Sequence, residues 1–96
     1  MKLIPGNEGE YEKRHREIWP ELAGLLKDAG IVEYYIYLDQ ATGTLFAFQK
    51  LKKDADTGQL PATALMKKWW AHMADIMEVN PDQSPVVHSL KEVFEL

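Results

Sequence analysis

Apolar positions along the chain change period several times, and each change marks a predicted element. Met1 to Ile4 is a short apolar run stopped by the turn signal Pro5-Gly6-Asn7, so it reads as the stub of a strand. From Glu8 to Ala29, Tyr11, Ile18, Trp19, Leu22, Leu25, Leu26 and Ala29 form a helical stripe, closed by Gly30. Pro20 interrupts it. A proline has no amide hydrogen and its ring meets the carbonyl four residues earlier. The pattern therefore predicts a kink or two short helices meeting near Trp19, with Pro20 opening the second and Glu21 near its N-terminus.

Ile31 to Leu38 is rich in β-branched and aromatic residues and reads as a strand, with Val32, Tyr34, Ile36 and Leu38 on one face and Ile31, Glu33, Tyr35 and Tyr37 on the other. Asp39 to Gly43 is a loop. Thr44 to Leu51 is a second strand, with Phe46 and Phe48 on one face and Leu45, Ala47 and Leu51 on the other, so the pair is an antiparallel hairpin. Lys52 to Pro61 is a polar surface loop. Ala62 to Met77 carries Met66, Trp69, Trp70, Met73 and Met77 at helical spacing, Asn80 to Pro85 is a rigid loop, and Val86 to Leu96 reads as a last strand. The order is β-α-β-β-α-β, the split unit of an α+β, ferredoxin-like fold, with helices over one face of a four-stranded antiparallel sheet. The other face, carrying Tyr35, Tyr37, Leu45 and Leu51, is too apolar to leave in water, which predicts a two-fold homodimer packed sheet on sheet.

Length sets a limit on what such a fold can enclose. A single domain over residues 1–96 is the natural reading. A domain of this size buries only about 60–70% of its unfolded surface, so a cavity competes directly with the core. With 46% hydrophobic residues, 27% charged residues and a net charge of −4, the chain is expected to be compact and soluble. Its acidic balance and lack of a basic stripe among the aromatics argue against nucleic acid. No cysteine is present, which removes disulfides, thiolate metal sites and cysteine nucleophiles. No apolar run reaches the roughly 18 residues of a membrane span and the first residues are not a signal peptide, so no membrane partner is expected and the cytoplasm is the expected location.

Candidate chemistry centres on Tyr11, His15 and Trp19, spaced four apart so that a helix stacks them on one face. A titratable imidazole between flat side chains, with Trp69-Trp70 on another helix, outlines a small sugar-type pocket. Plainer readings stand beside it. A lone helical histidine is more often structural. Trp19 adjoins the Pro20 break and is read as core, as is the Met66, Met73, Met77 stripe. His72 and His88 form no metal-ligand spacing with His15 and are read as incidental.

Five stretches together resemble one family: EYEKRHREIWPEL (Glu10 to Leu22), YYIYLD (Tyr34 to Asp39), KWW (Lys68 to Trp70) with Met73 behind it, NPDQSP (Asn80 to Pro85) and LKEVFEL (Leu90 to Leu96). In this order and spacing, across nearly the whole chain, they look like L-rhamnose mutarotase. The resemblance implies a dimeric α+β barrel of the ferredoxin-like type that interconverts the α and β pyranose anomers of L-rhamnose without metal or organic cofactor. It places the proton-donating histidine on His15 and sugar contacts on Tyr11, Tyr34, Trp69 and Trp70. It also implies a full first strand, of which Met1 to Ile4 is a shortened remnant against a typical strand of about 5–6 residues.

The chemistry expected is acid-base opening of a cyclic hemiacetal. His15 protonates the ring oxygen on opening and recovers the proton on closure, an imidazole being able to donate or accept near neutral pH. Tyr11 and Tyr34 orient hydroxyls, and a tryptophan covers the apolar face and methyl group of a 6-deoxy sugar. The base at the anomeric hydroxyl is either water or a tyrosine. Two other functions fit the same residues: a mutarotase for another 6-deoxy sugar such as L-fucose, and a non-catalytic dimeric sugar-binding module.

Overall fold

The computed structural model describes all of residues 1–96. Helix α1 (Glu8–Arg16) and helix α2 (Pro20–Asp28) are followed by strands β1 (Ile31–Asp39) and β2 (Thr44–Leu51), a single 3-10 turn (Leu60–Ala62) and helix α3 (Ala64–Met73). Pro20 divides the predicted helix into two. Trp19, just before it, is extended at φ −60° and ψ 130°, the conformation that a residue ahead of proline prefers, and Pro20 becomes the first residue of α2. Leu22, the most deeply buried side chain at 1% exposure, then anchors α2 against β1 and α3. The closest backbone packing joins β1 to β2, α2 to β1, α2 to α3 and α3 to the 3-10 turn, while α1 packs less closely.

The hairpin is antiparallel, with Tyr35 opposite Phe48, Tyr37 opposite Phe46 and Asp39 opposite Thr44. The loop Gln40 to Gly43 has an even number of residues, so odd positions of β1 face even positions of β2. This corrects the predicted faces. Leu45 shares the core side with Ile36 and Leu38 and is 3% exposed, while the outer face carries Tyr35, Tyr37, Phe46 and Phe48. A register shift between Ile31 and Glu33 also turns Ile31 into the core and leaves Val32 half exposed, the reverse of the simple alternation.

The regular sheet has two strands, not the four expected. Met1 to Ile4 lies beside β2 through Leu3 N–H to Gly43 O at 2.8 Å and Leu45 N–H to Met1 O at 2.8 Å. Its other edge takes residues 76–79, through Ile4 N–H to Ile76 O at 2.9 Å and Glu78 N–H to Lys2 O at 3.0 Å. These two segments hold sheet positions only as isolated bridges, Lys2 to Thr44 and Leu3 to Met77. They also explain why α3 stops at Met73 instead of running to Met77: residues 76–79 must turn their backbone groups sideways to the first residues. Thr63 starts α3, its hydroxyl accepting from Met66 N–H at 3.2 Å. The predicted last strand, Val86 to Leu96, is not formed. Pro85 bridges back to Val79 and Val86 N–H reaches Glu78 O at 3.3 Å, and beyond Val86 the chain finds no backbone partner. Extended chain becomes a strand only beside an edge that can exchange hydrogen bonds with it. No helix is long and apolar enough to cross a membrane.

The core joins Leu3, Tyr11, Leu22, Leu45, Trp69, Met73, Ile76 and Met77. Gly30 connects α2 to β1 at φ +103°, and its carbonyl accepts Lys52 N–H at 2.8 Å. A Cβ there would stand 2.5 Å from Ala55 Cβ and 2.7 Å from its Cα. Both backbone angle and space demand glycine. Gly30→Ala is therefore expected to lower stability by more than about 1 kcal/mol, read as an earlier urea midpoint at unchanged slope.

Candidate active site

Tyr11 and His15 sit one turn apart on α1, and their rings stack at 4.2 Å between centroids and 29° between planes. Trp69, from α3, meets His15 edge-on at 5.5 Å and 86°. Trp19 closes the far side of Trp69 at 5.2 Å, also edge-on, and packs against the core as the sequence suggests. His72 is exposed, but its ring lies 5.4 Å from Trp19 and 5.6 Å from Trp69, so it belongs to the rim of this cluster.

A hydrogen bond fixes the state of His15. Its Nδ1 lies 3.0 Å from the Tyr11 carbonyl oxygen, which can only accept, so Nδ1 carries the hydrogen. The neutral ring then presents Nε2 as a free lone pair. Burial lowers the pKa of His15 below the usual imidazole value, with the bond to Tyr11 O opposing the shift. Burial also raises Tyr11 well above an ordinary phenol, reinforced by Tyr34 nearby. Tyr34 is raised by burial too, with the Gln49 side chain pulling the other way. As a residue Tyr34 is 41% exposed, yet its phenol is desolvated. A side chain facing a cavity combines both properties: water reaches it while protein atoms surround it.

That cavity is where the predicted residues meet. Tyr11, His15, Tyr34, Trp69 and Trp70 all line one space of about 90 Å³, between α1, β1 and α3. The remaining wall is mostly apolar, including Ile36, Met66 and Met73. A wider, more open groove of about 750 Å³ shares Tyr11, His15, Tyr34 and Trp69 with it and runs between α1, α2 and the sheet. Trp70 borders only the smaller space. Among the lining residues that the sequence reading did not place at the site are Gln83 and Pro85. They come from the Asn80 to Pro85 turn, in which Gln83 adopts φ +70°. The tract NPDQSP was the available signal. A side chain held in the left-handed region is one of the features that turns near functional sites display.

Comparison with known proteins is consistent over the whole chain. The family profile described as L-rhamnose mutarotase matches residues 1–96. An L-rhamnose mutarotase of Flavobacterium johnsoniae is 56% identical over 96 residues, covering 100% of this chain and 90% of that protein. One of Bacteroides thetaiotaomicron is 54% identical, covering 100% of this chain and 92% of its own length. The crystal structure of L-rhamnose mutarotase from Formosa agariphila superimposes with a TM-score of 0.91 at 52% identity, covering 100% of this chain and 92% of that one.

The lowered pKa of His15 has a thermodynamic consequence. In the unfolded chain an imidazole titrates near about 6.5. Below that pH the unfolded state binds the proton more readily than the folded one, so the contribution of His15 to stability is complete above about 6.5 and is lost as pH falls through the lower folded value. Titration of the His15 C2 proton by NMR is expected to give a midpoint below 6.5. Urea midpoints should fall between about pH 7.5 and 5.5, and His15→Gln should remove the part of that fall due to this ring.

Proposed function

The chain belongs to the L-rhamnose mutarotase family, and on that footing we propose that it interconverts the α and β pyranose anomers of L-rhamnose, with His15 as proton donor. What supports the reading is the convergence of Tyr11, His15, Tyr34, Trp69 and Trp70, drawn from three elements, on one small, largely apolar cavity.

The roles follow from the chemistry of each group. Ring opening breaks the C1–O5 bond, its electrons going to O5, which takes a proton from Nε2 of protonated His15. The anomeric hydroxyl loses its proton as C1=O1 forms. After rotation about C1–C2, O5 adds to the opposite face of C1 and returns its proton to Nε2, while O1 is reprotonated. The enzyme ends as it began. The hydrogen bond from Nδ1 to Tyr11 O aims Nε2 and supports the positive ring that forms. Tyr11 and Tyr34, both raised by burial, stay phenols at neutral pH. They therefore act as hydrogen-bond partners for the sugar hydroxyls, and a water from the wider groove carries the anomeric proton. Trp69 and Trp70 give the C6 methyl group and the apolar face of the ring an indole surface to cover. That preference for a methyl-bearing sugar, together with the names of the relatives, favours L-rhamnose over an unsubstituted pentose.

The same reading includes a single mutarotase domain that works as a homodimer of ferredoxin-like α+β units. Its support is the outer face of the hairpin, where Tyr35 is 52%, Tyr37 59% and Phe48 51% exposed on one continuous aromatic surface. Tyr37 and Phe48 already pair edge-on across the strands at 5.8 Å. A second copy placed face to face removes this surface from water and closes the two sheets into a barrel.

Two measurements test the proposal. His15→Ala should slow anomer exchange of L-rhamnose, followed by exchange NMR, by about 10²–10⁴-fold in a protein that remains folded. An unchanged rate removes His15 from the mechanism. Phe48→Glu, on the outer face, should turn a dimer into a monomer by sedimentation velocity, and a wild-type chain that sediments as a monomer refutes the sheet-on-sheet pair.

A further inference from the structure

Helix α1 carries Tyr11 and His15, yet its backbone packs less closely on the other elements than α2 or α3 does, and Tyr11 is its one buried residue. Tyr11 ties it to α3 through the core, and a second tie on its polar side would fix the distance at which His15 meets Trp69. Arg14, next to His15 in sequence, makes that connection. Its Nη1 donates to Asp75 Oδ1 at 2.7 Å and its Nη2 to Asp75 Oδ2 at 3.1 Å, a two-pronged pairing. The same Nη1 donates to the His72 carbonyl oxygen at 2.7 Å. That carbonyl belongs to the last turn of α3, where backbone oxygens lack partners within the helix and a positive charge is favoured. Nε donates to Glu10 Oε1 at 2.9 Å, one turn back on α1, which fixes the guanidinium plane.

Four hydrogen bonds thus leave one side chain in three directions, and that side chain is only 15% exposed although its carboxylate partners face water. The pairing is strong enough to hold the Asp75 carboxyl below its usual range and to raise the guanidinium further above its own. By contrast, the other ion pair on α1, Arg16 with Glu12, is exposed on both sides and stays within the helix, so it positions nothing.

We propose that Arg14 is a positioning residue for the reaction. Through the fork to Asp75 and the His72 carbonyl, it locks α1 to the end of α3 and so sets the place of His15 against Trp69. This rests on the mutarotase reading for its kinetic consequence but not for its geometric one, and the test separates the two. Lysine cannot replace it, having no planar fork to span a carboxylate and a carbonyl together.

The experiment compares Arg14→Gln, Arg14→Lys, Asp75→Asn and the double variant Arg14→Gln/Asp75→Asn with the wild type. The control is Lys13→Gln, which removes a neighbouring positive charge of α1 that joins no ion pair. In ligand-free protein, the His15 C2–H resonance reads its position between the Tyr11 and Trp69 rings. It should move in all three single clamp variants and stay put in Lys13→Gln. For L-rhamnose exchange, kcat should fall about tenfold with KM within about twofold, because a displaced group loses transition-state interactions more than binding. The double variant should be no slower than the worse single one, since both break one connection. The proposal is overturned if the variants only lower the unfolding midpoint while the His15 resonance and the kcat of folded protein remain those of the wild type. It is equally overturned if the two single losses multiply in the double variant. Asp75 is exposed, so Asp75→Asn keeps the test decisive even if Arg14→Gln fails to fold. Should the wild type show no anomer exchange, the function falls, and the ring resonance alone still decides the clamp.

Discussion

Helix α1 is nine residues long and buries one side chain, and this shortage of apolar surface governs how the site is built. A helix of this length has little stability of its own, and a polar one gains little from packing. Its position therefore comes from discrete ties: Tyr11 in the core, the edge-on contact of His15 with Trp69, and the Arg14 fork to the end of α3. Pro20 makes the arrangement possible. By ending the first helix at Arg16 and starting the next at residue 20, it separates a polar segment that carries chemistry from an apolar one that carries the core. An unbroken helix would have to present both on one axis.

The small size of the chain shows in how residues are shared. Trp69 is 7% exposed and counts among the core residues, yet its indole also walls the cavity and meets both His15 and Trp19 edge-on. Trp70 points roughly 100° away on the helix and is half-buried, and it still reaches the smaller space. Tyr11 is both a buried core residue and the ring on which the imidazole lies. A separate set of residues for packing and for binding would need a larger domain. Substitutions at these positions consequently affect folding and chemistry together, which is why the tests of mechanism fall on His15 and on the exposed Asp75.

What was legible in the sequence follows from how local each signal is. Pro20, Gly30 and the hairpin are set by residues within a few positions of one another, and each stands where its local chemistry puts it. The faces of the hairpin depend on whether the loop holds an odd or even number of residues, and the even loop Gln40 to Gly43 moved Leu45 inward. The end of α3 and the fate of Val86 to Leu96 depend on which edge is available far along the chain, information that apolar patterning does not contain. For the site, Tyr11 and His15 were readable as a helical face and Trp69-Trp70 as an aromatic pair on another helix, whereas Tyr34 was joined to them through the family motif. Gln83 and Arg14 lay within the quoted motif stretches, but neither a turn residue nor a helical arginine announces its partner from sequence.

In the proposed mechanism, a half-buried imidazole that donates a proton looks like a contradiction, because burial reduces the protonated fraction at neutral pH. The loss is partly offset by a gain in acidity. When the pKa drops by one unit, about ten times fewer molecules are protonated at a pH above it, but each is a stronger acid, and proton-transfer efficiency rises with acid strength. For a reaction that runs between two similar sugars the proton must leave and return with comparable ease. A group poised somewhat below neutrality does this better than one that holds its proton firmly. The bond from Nδ1 to the Tyr11 carbonyl limits how far the drop goes, since it favours the charged ring. Burial beside Trp69 and Tyr11 and support by a backbone carbonyl thus act in opposite directions on one nitrogen pair, and under the proposed mechanism their balance sets the pH at which the site works.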